Sequence, residues 1–246
     1  MRGLGTLINL AAVAAGGVIG VAAGHRVPES VRRTIMQGLG LATLAIAVVG
    51  LEPLFDTDEG LKRAVITIVS MIVGGAIGAL LSLEERLEGI GERIRERFSV
   101  ADDALPETQG RSGFVEGFVV ASTVFCVGPL TVLGSVEDGL GISIRLLAIK
   151  STLDGFAAIG FASVYGWGVL GSLATIIVLQ GGITAAAVLI EPLLTNEVLA
   201  QLGAIGSLLV LGIGFRLLDI ARIQIVNLMP ALVIGMVTAG VVETVL

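Results

Sequence analysis

Charge is what this chain has least of. Only 15% of its 246 residues are Asp, Glu, Lys or Arg, against about 25% in an ordinary soluble domain. A water-facing surface cannot be assembled from so few, which excludes a soluble globular fold. Cys126 is the only cysteine, so there is no intramolecular disulfide and no cysteine metal cluster. His25 is the only histidine, which excludes multi-histidine metal and haem sites. One Trp and one Tyr make a weak aromatic belt, and the helix ends must be placed by charges instead. No basic face exists beyond short loop clusters, so nucleic-acid binding is not expected. No paired-Asp, Ser/His or metal-binding histidine constellation of the kind a membrane hydrolase needs is visible. Neither enzymatic activity nor a cofactor is expected.

What the chain does have is apolar length. Residues of the hydrophobic classes make up 54% of it and the mean hydropathy is +0.97. The charges fall between apolar runs of roughly 20 residues, enough for a helix to cross about 30 Å of hydrocarbon. In lipid the backbone must satisfy its own hydrogen bonds, which leaves helices or a closed barrel. Barrel strands alternate apolar and polar residues, whereas 65–81 and 199–218 are almost unbroken apolar runs. The expected fold is therefore an all-α polytopic transmembrane bundle of about eight spans. They are Leu4 to Ala23, Ile35 to Leu54, Ala64 to Leu83, Phe114 to Leu133, Ile142 to Ala162, Val169 to Ile190, Leu199 to Leu218 and Val226 to Leu246. Turn and cap residues separate several of them, including Thr195-Asn196-Glu197 at a helix start.

Glycine, at 35 residues, is about twice its usual share of roughly 7%. Many lie inside spans, as in Gly74-Gly75-Ala76-Ile77-Gly78. Small residues three or four apart let helices approach closely, and a minority of the glycines can instead mark hinging or broken helices. Met1-Arg2-Gly3 before an apolar run has the outline of a signal peptide. Asn9 within the run, and Arg26, Arg32 and Arg33 after it, favour a retained first span. With both termini outside, ten arginines fall in inside loops and five Lys or Arg outside, the bias that favours this orientation. The longest inside loop repeats Leu83, Leu87, Ile90, Ile94 and Phe98 at helical spacing. It is expected to form an amphipathic helix along the interface or against a partner, followed by a polar linker over 99–111.

The first three spans and the last three share a rough pattern at an offset of about 160–166 residues. Leu4-Gly5-Thr6-Leu7 matches Leu170-Gly171-Ser172-Leu173, and Gly16-Gly17 matches Gly181-Gly182. Five spans separate the two starts, so the copies would be inverted, a frequent plan of alternating-access transporters. The segments this predicts are an N-terminal repeat (1–83), an amphipathic helix and linker (84–111), a central pair of spans with a broken helix (112–165) and a C-terminal repeat (166–246).

Polar residues interrupt the apolar pattern at a few places. Gly128-Pro129 stands in mid-span, followed by Thr131, Ser135, Glu137 and Asp138. Proline removes a backbone donor and clashes with the preceding turn, so a break is expected near Gly128. It is either a kink capped by Ser or Thr, or a site where freed carbonyls and amides coordinate an ion. Lys150 and Asp154 are four apart on one helical face and able to pair. A charge at bilayer depth costs at least about 2.5–3.5 kcal/mol and usually marks function, unless Lys150 reaches the outer surface and Asp154 balances it. Asn9, Gln37, Glu116, Gln180 and Asn227 are the other polar groups within spans. Each amide alone can simply lock helices together.

Several of these blocks resemble those of the bacterial DUF554 integral membrane proteins. They are Gly5-Thr6-Leu7-Ile8-Asn9, Phe125 to Gly139 (with CVGPLTVLGSVEDG), Lys150 to Ala157 (KSTLDGFA), Gln180-Gly181 and Asn227 to Leu232 (NLMPAL). The resemblance spans essentially the full length. It implies a multi-pass inner-membrane protein and carries no activity with it. From the residues, the leading expectation is a small secondary transporter or ion-translocating protein, with the lipid bilayer and a small ion or solute as partners. Its site would hold Asp154 as carrier and Lys150 as partner, with Gly128, Pro129, Thr131, Ser135, Asn9, Gln180 and Asn227 around them. The alternative is a non-transporting scaffold or regulator that docks through Leu83 to Phe98. A homo-oligomer is open to either.

Overall fold

The computed structural model of the protein describes residues 2–24, 28–56, 58–97, 111–126 and 129–245. Among them there is no β-strand. The helices are α1 (Leu4–Gly24), α2 (Glu29–Gly50), α3 (Gly60–Leu80), α4 (Leu83–Arg97), α5 (Arg111–Cys126), α6 (Pro129–Leu140), α7 (Arg145–Tyr165), α8 (Gly168–Ala185), α9 (Ala187–Ile190), α10 (Asn196–Leu217), α11 (Ile225–Leu228) and α12 (Pro230–Val245). Seven helices or helix segments are long and apolar enough to cross a membrane, and the bent pair α5–α6 makes an eighth. The protein is an all-helical, multi-pass membrane protein.

Local chemistry accounts for the boundaries. Thr195 caps α10, its hydroxyl accepting from the Val198 amide at 3.2 Å, the cap that the Thr-Asn-Glu sequence predicts. Ser82 takes a left-handed φ of 50°, which ends α3 and lets α4 leave as a separate helix. The predicted eighth span is interrupted between α11 and α12, where Pro230 cannot donate to the preceding turn. The predicted sixth span stops at Ala185, and the single turn of α9 follows it. The fourth extends past Leu133 to Leu140, because the acidic end that resembles a loop in sequence is buried against another helix.

The chain forms two compact units, each drawing on helices from both ends of the sequence. Unit 1 contains α1, α2 up to Leu39, α4 from Glu85, α5, α6 from Leu130, α7 and α8. Within it α1 and α7 run in the same direction: Gly16, Gly20 and Gly24 face Gly155, Ile159 and Ser163 in turn. Helix α8 runs against α1, with Asn9 bonded to Gln180 and Thr6 to Thr184. The α5–α6 pair is bent by 62°; α5 packs along α8, and α6 meets it again near its end. Phe114 touches Gly168 at its start, Ser122 bonds Thr175, and Gly139 lies against Thr184 near its end. Contacts at both ends of α8 favour a broken span over a hairpin returning to the side it entered. Helix α4 packs here too, with Gly91 against Phe118 and Ile94 beside Gly171.

Unit 2 contains the rest of α2, α3, and the chain from Val188 onward. The most enclosed span is α10. It runs with α3, as Arg63 pairs with Glu197 and Thr67 with Gln201, and against α2, where Leu44 meets Gly214 and Gly50 meets Ser207. Helix α3 runs against α11 and α12, Gly74 facing Ala231 and Gly78 facing Asn227. The outward residues of the spans, such as Val49, Ile72, Val178 and Val233, are apolar and exposed, as a lipid-facing surface requires.

Candidate functional site

The site in unit 1 begins with a close approach of two helices. Gly16, Gly20 and Gly24 recur every fourth residue along α1, and a methyl on any of them would strike a backbone oxygen of α7. Contact this close, made by small residues at helical spacing, associates helices through dispersion where lipid offers no hydrophobic drive. It brings the N-terminal half of α7 beside the N-terminal half of α1. The polar residues of both halves therefore become interior.

Lys150 and Asp154 are 5% and 6% exposed, and Lys150 Nζ donates to Asp154 Oδ2. The pair is enclosed within the unit. Asn9 of α1 also approaches the Asp154 carboxylate, while its Nδ2 donates to Gln180 Oε1 of α8 at 2.9 Å. Thr131 and Ser135 lie one turn apart on α6, both fully buried. The Thr131 hydroxyl reaches back over the break to the Phe125 carbonyl at 3.5 Å, the capped-kink arrangement for that oxygen. Ser135 Oγ, Asn9 Oδ1 and Gln180 Nε2 are buried without a hydrogen-bond partner among the described residues. Unpaired buried polar atoms are costly and uncommon. Here three of them belong to the same unit as a buried ion pair.

Asp138 has a different task. Its two carboxylate oxygens accept from the backbone amides of Gly5 and Thr6 at 3.1 and 3.0 Å, and from the Thr6 hydroxyl at 3.3 Å. A carboxylate on the free amides of a helix N-terminus is favoured by the helix dipole, so α6 anchors the start of α1. In sequence Asp138 is only one of two acids after a span, 133 residues from its partner. Gly128 lies outside the described residues. Pro129 is the first residue of α6.

Two kinds of comparison place the chain among known proteins. A family model described as "Protein of unknown function (DUF554)" matches residues 4–239. The chain belongs to the DUF554 family. Among curated relatives it is 27% identical over 239 residues to the "Uncharacterized membrane protein YdfK" of Bacillus subtilis (strain 168), covering 97% of this chain and 96% of that one. It is 29% identical over 233 residues to the "Uncharacterized protein YqgA" of Escherichia coli (strain K12), covering 95% and 94%. No solved structure matches it.

Asn227, a sequence candidate for the same site, belongs to unit 2 of this DUF554 chain. Its Oδ1 accepts from the Glu84 amide at 2.9 Å, and its Nδ2 donates to Gln224 at 3.1 Å. Glu84 is 4% exposed; its carboxylate takes Arg216 at 2.8 Å and the Val226 amide at 2.9 Å. Asn227 and Glu84 thus tie the α3–α4 corner to the start of the broken last span. Gln37 and Glu116, the remaining polar residues within spans, are exposed. Among the described residues no group of His, Cys, Asp and Glu is arranged to hold a metal ion.

Proposed function

We propose that the protein is a small secondary transporter or ion-translocating protein of the inner membrane, without enzymatic activity. Its site lies in unit 1 among Asn9, Ser135, Lys150, Asp154 and Gln180. The observation that carries this reading is the coincidence of a buried Lys–Asp pair with three unpaired buried polar atoms inside a bundle of membrane spans. A bundle that only had to be stable would pair those atoms or replace them with apolar groups. A bundle that binds and releases a solute keeps them for it. In this reading Asp154 carries the ion or proton, Lys150 compensates it in the unloaded state, and the break between α5 and α6 supplies the hinge.

Helix directions support the inverted repeat that such proteins often use. The repeat pairs α1 with α8, α2 with α10, and α3 with α12. Each pair is in contact and antiparallel, as an axis in the membrane plane requires. With the basic residues inside, both termini face the periplasm in this reading. The scaffold reading relies on an unoccupied apolar side of α4, of which Gly91 and Ile94 lie against Phe118 and Gly171 while Ile90 is exposed.

Purified protein in liposomes, screened for uptake of protons, alkali cations and small anions, tests the proposal. Gradient-driven uptake that Asp154→Asn abolishes is the expected result. Absence of uptake by folded protein for every class, or an unchanged rate in Asp154→Asn, would overturn it.

A further inference from the structure

Unit 2 has an unpaired polar centre of its own, and its leftover chemistry differs from that of unit 1. Gln201 of α10 is fully buried, and its Nε2 donates to Thr67 Oγ1 at 2.6 Å and to the Arg63 carbonyl at 3.4 Å. Both amide hydrogens are therefore used, while Gln201 Oε1 has no partner among the described residues. Ser70, one turn after Thr67 on α3 and 1% exposed, is likewise without a partner. The stem of Gln201 and the hydroxyl of Ser70 approach one spot beside α12. Gln201 Cγ and Ser70 Oγ each lie 3.5 Å from the point where a Cβ would stand on Gly235 of α12.

What remains unsatisfied is oxygen: one amide carbonyl and one hydroxyl, with the second lone pair of Thr67 Oγ1 beside them. No N–H is left over, Gln201 Oε1 can only accept, and both hydroxyls can turn their hydrogens outward, so the three oxygens are able to face a cation. No carboxylate is among them, and divalent ions are ordinarily held by carboxylates, which leaves a singly charged ion. One turn away Arg63 bonds both Glu197 and Asp56, so that cluster carries one net negative charge and favours a cation nearby. The spot is narrow, since a methyl on Gly235 would strike Ile205.

We propose that unit 2 binds a small alkali cation, of the size of Na+, on Gln201 Oε1, Ser70 Oγ and Thr67 Oγ1. The site is independent of the one in unit 1 and stands or falls without it. Neutral oxygens replacing a hydration shell are a physically sufficient means of holding such an ion.

The test is thermal unfolding of the purified full chain in NaCl, KCl or choline chloride at constant ionic strength, with 22Na+ binding measured alongside. NaCl should raise Tm saturably, by roughly 5–10 °C at a concentration ~100-fold above Kd, with bound 22Na+ near one per chain. Ser70→Ala and Gln201→Met should lose both the rise and the bound ion. Ser70→Ala should keep or exceed the wild-type Tm in choline, because it deletes an unpaired hydroxyl. The Lys150→Met, Asp154→Asn double variant should keep the Na+ response. Equal Tm in all three salts without bound 22Na+ would overturn the proposal and leave the spot to water. So would a response that survives in both Ser70→Ala and Gln201→Met, or one that vanishes in the unit 1 double variant.

Discussion

Lys150 and Asp154 can neutralise one another only because each is already out of water. Asp154→Asn leaves an unpaired ammonium in a low-dielectric interior, where an isolated charge is costly. Breaking such a pair from one side costs roughly 3–5 kcal/mol, more than replacing both charges by apolar groups. The Lys150→Met, Asp154→Asn double variant should therefore unfold at a higher temperature than Asp154→Asn alone; equal stability would place Lys150 at the membrane surface. A milder effect is expected at Asp56, in the loop before α3. The Asp58 amide, and then the Arg63 guanidinium, hold its carboxyl below the usual carboxylate range. Such a group contributes stability above its unfolded pKa and loses it as pH falls through the lowered folded value. Asp56→Asn should then be less stable than wild type at pH 7, with the difference closing below about pH 4. The i, i+4 pair was legible in the sequence because its spacing alone places both groups on one face. Asn9 and Gln180 were legible only as isolated amides, since nothing local shows that residues 171 apart meet.

At the scale of helices, glycine position matters more than glycine number. Gly16 and Gly20 of α1 stand against α7 backbone oxygens, and Gly78 of α3 against the Asn227 carbonyl. Gly182 of α8 faces open space. An alanine at any of the first three forces two backbones apart, an overpacking penalty of about 1–3 kcal/mol. At Gly182 it adds only helix propensity. Thermal unfolding of Gly20→Ala, Gly78→Ala and Gly182→Ala should lower Tm in the first two and leave the third unchanged or higher. A uniform drop would mean that composition, not contact, sets the cost. The break in the fourth span was visible as Gly128-Pro129 because proline acts on its own backbone. The extent of α6 was not visible. Its last turn is stabilised by giving Asp138 to the amides of a helix at the far end of the sequence, so an acidic stretch that resembles a loop continues as helix.

For the whole molecule the count of crossings decides sidedness. Spans were legible from hydropathy because each needs only its own apolar length. The fourth was legible as an apolar run with a break at Gly128-Pro129. Its contacts with α8, from Phe114 at Gly168 to Gly139 at Thr184, favour counting it as the eighth crossing. Two crossings, α3 and α5–α6, then separate Asp58 from Ser143, so both residues should face the same side. Helix α4 lies between those crossings and should face the other. In a Cys126→Ser background, single cysteines at Asp58 and Ser143 should react in intact cells with a thiol reagent that cannot cross the membrane. A cysteine at Arg95 should react only after permeabilisation. If α5–α6 returned to the side it entered, Ser143 would be labelled together with Arg95, and every later crossing (α7, α8, α10 and α11–α12) would reverse. The basic-residue bias puts Asp58 outside. Labelling of Asp58 and Ser143 together, but only in permeabilised cells, would keep eight crossings and invert the protein.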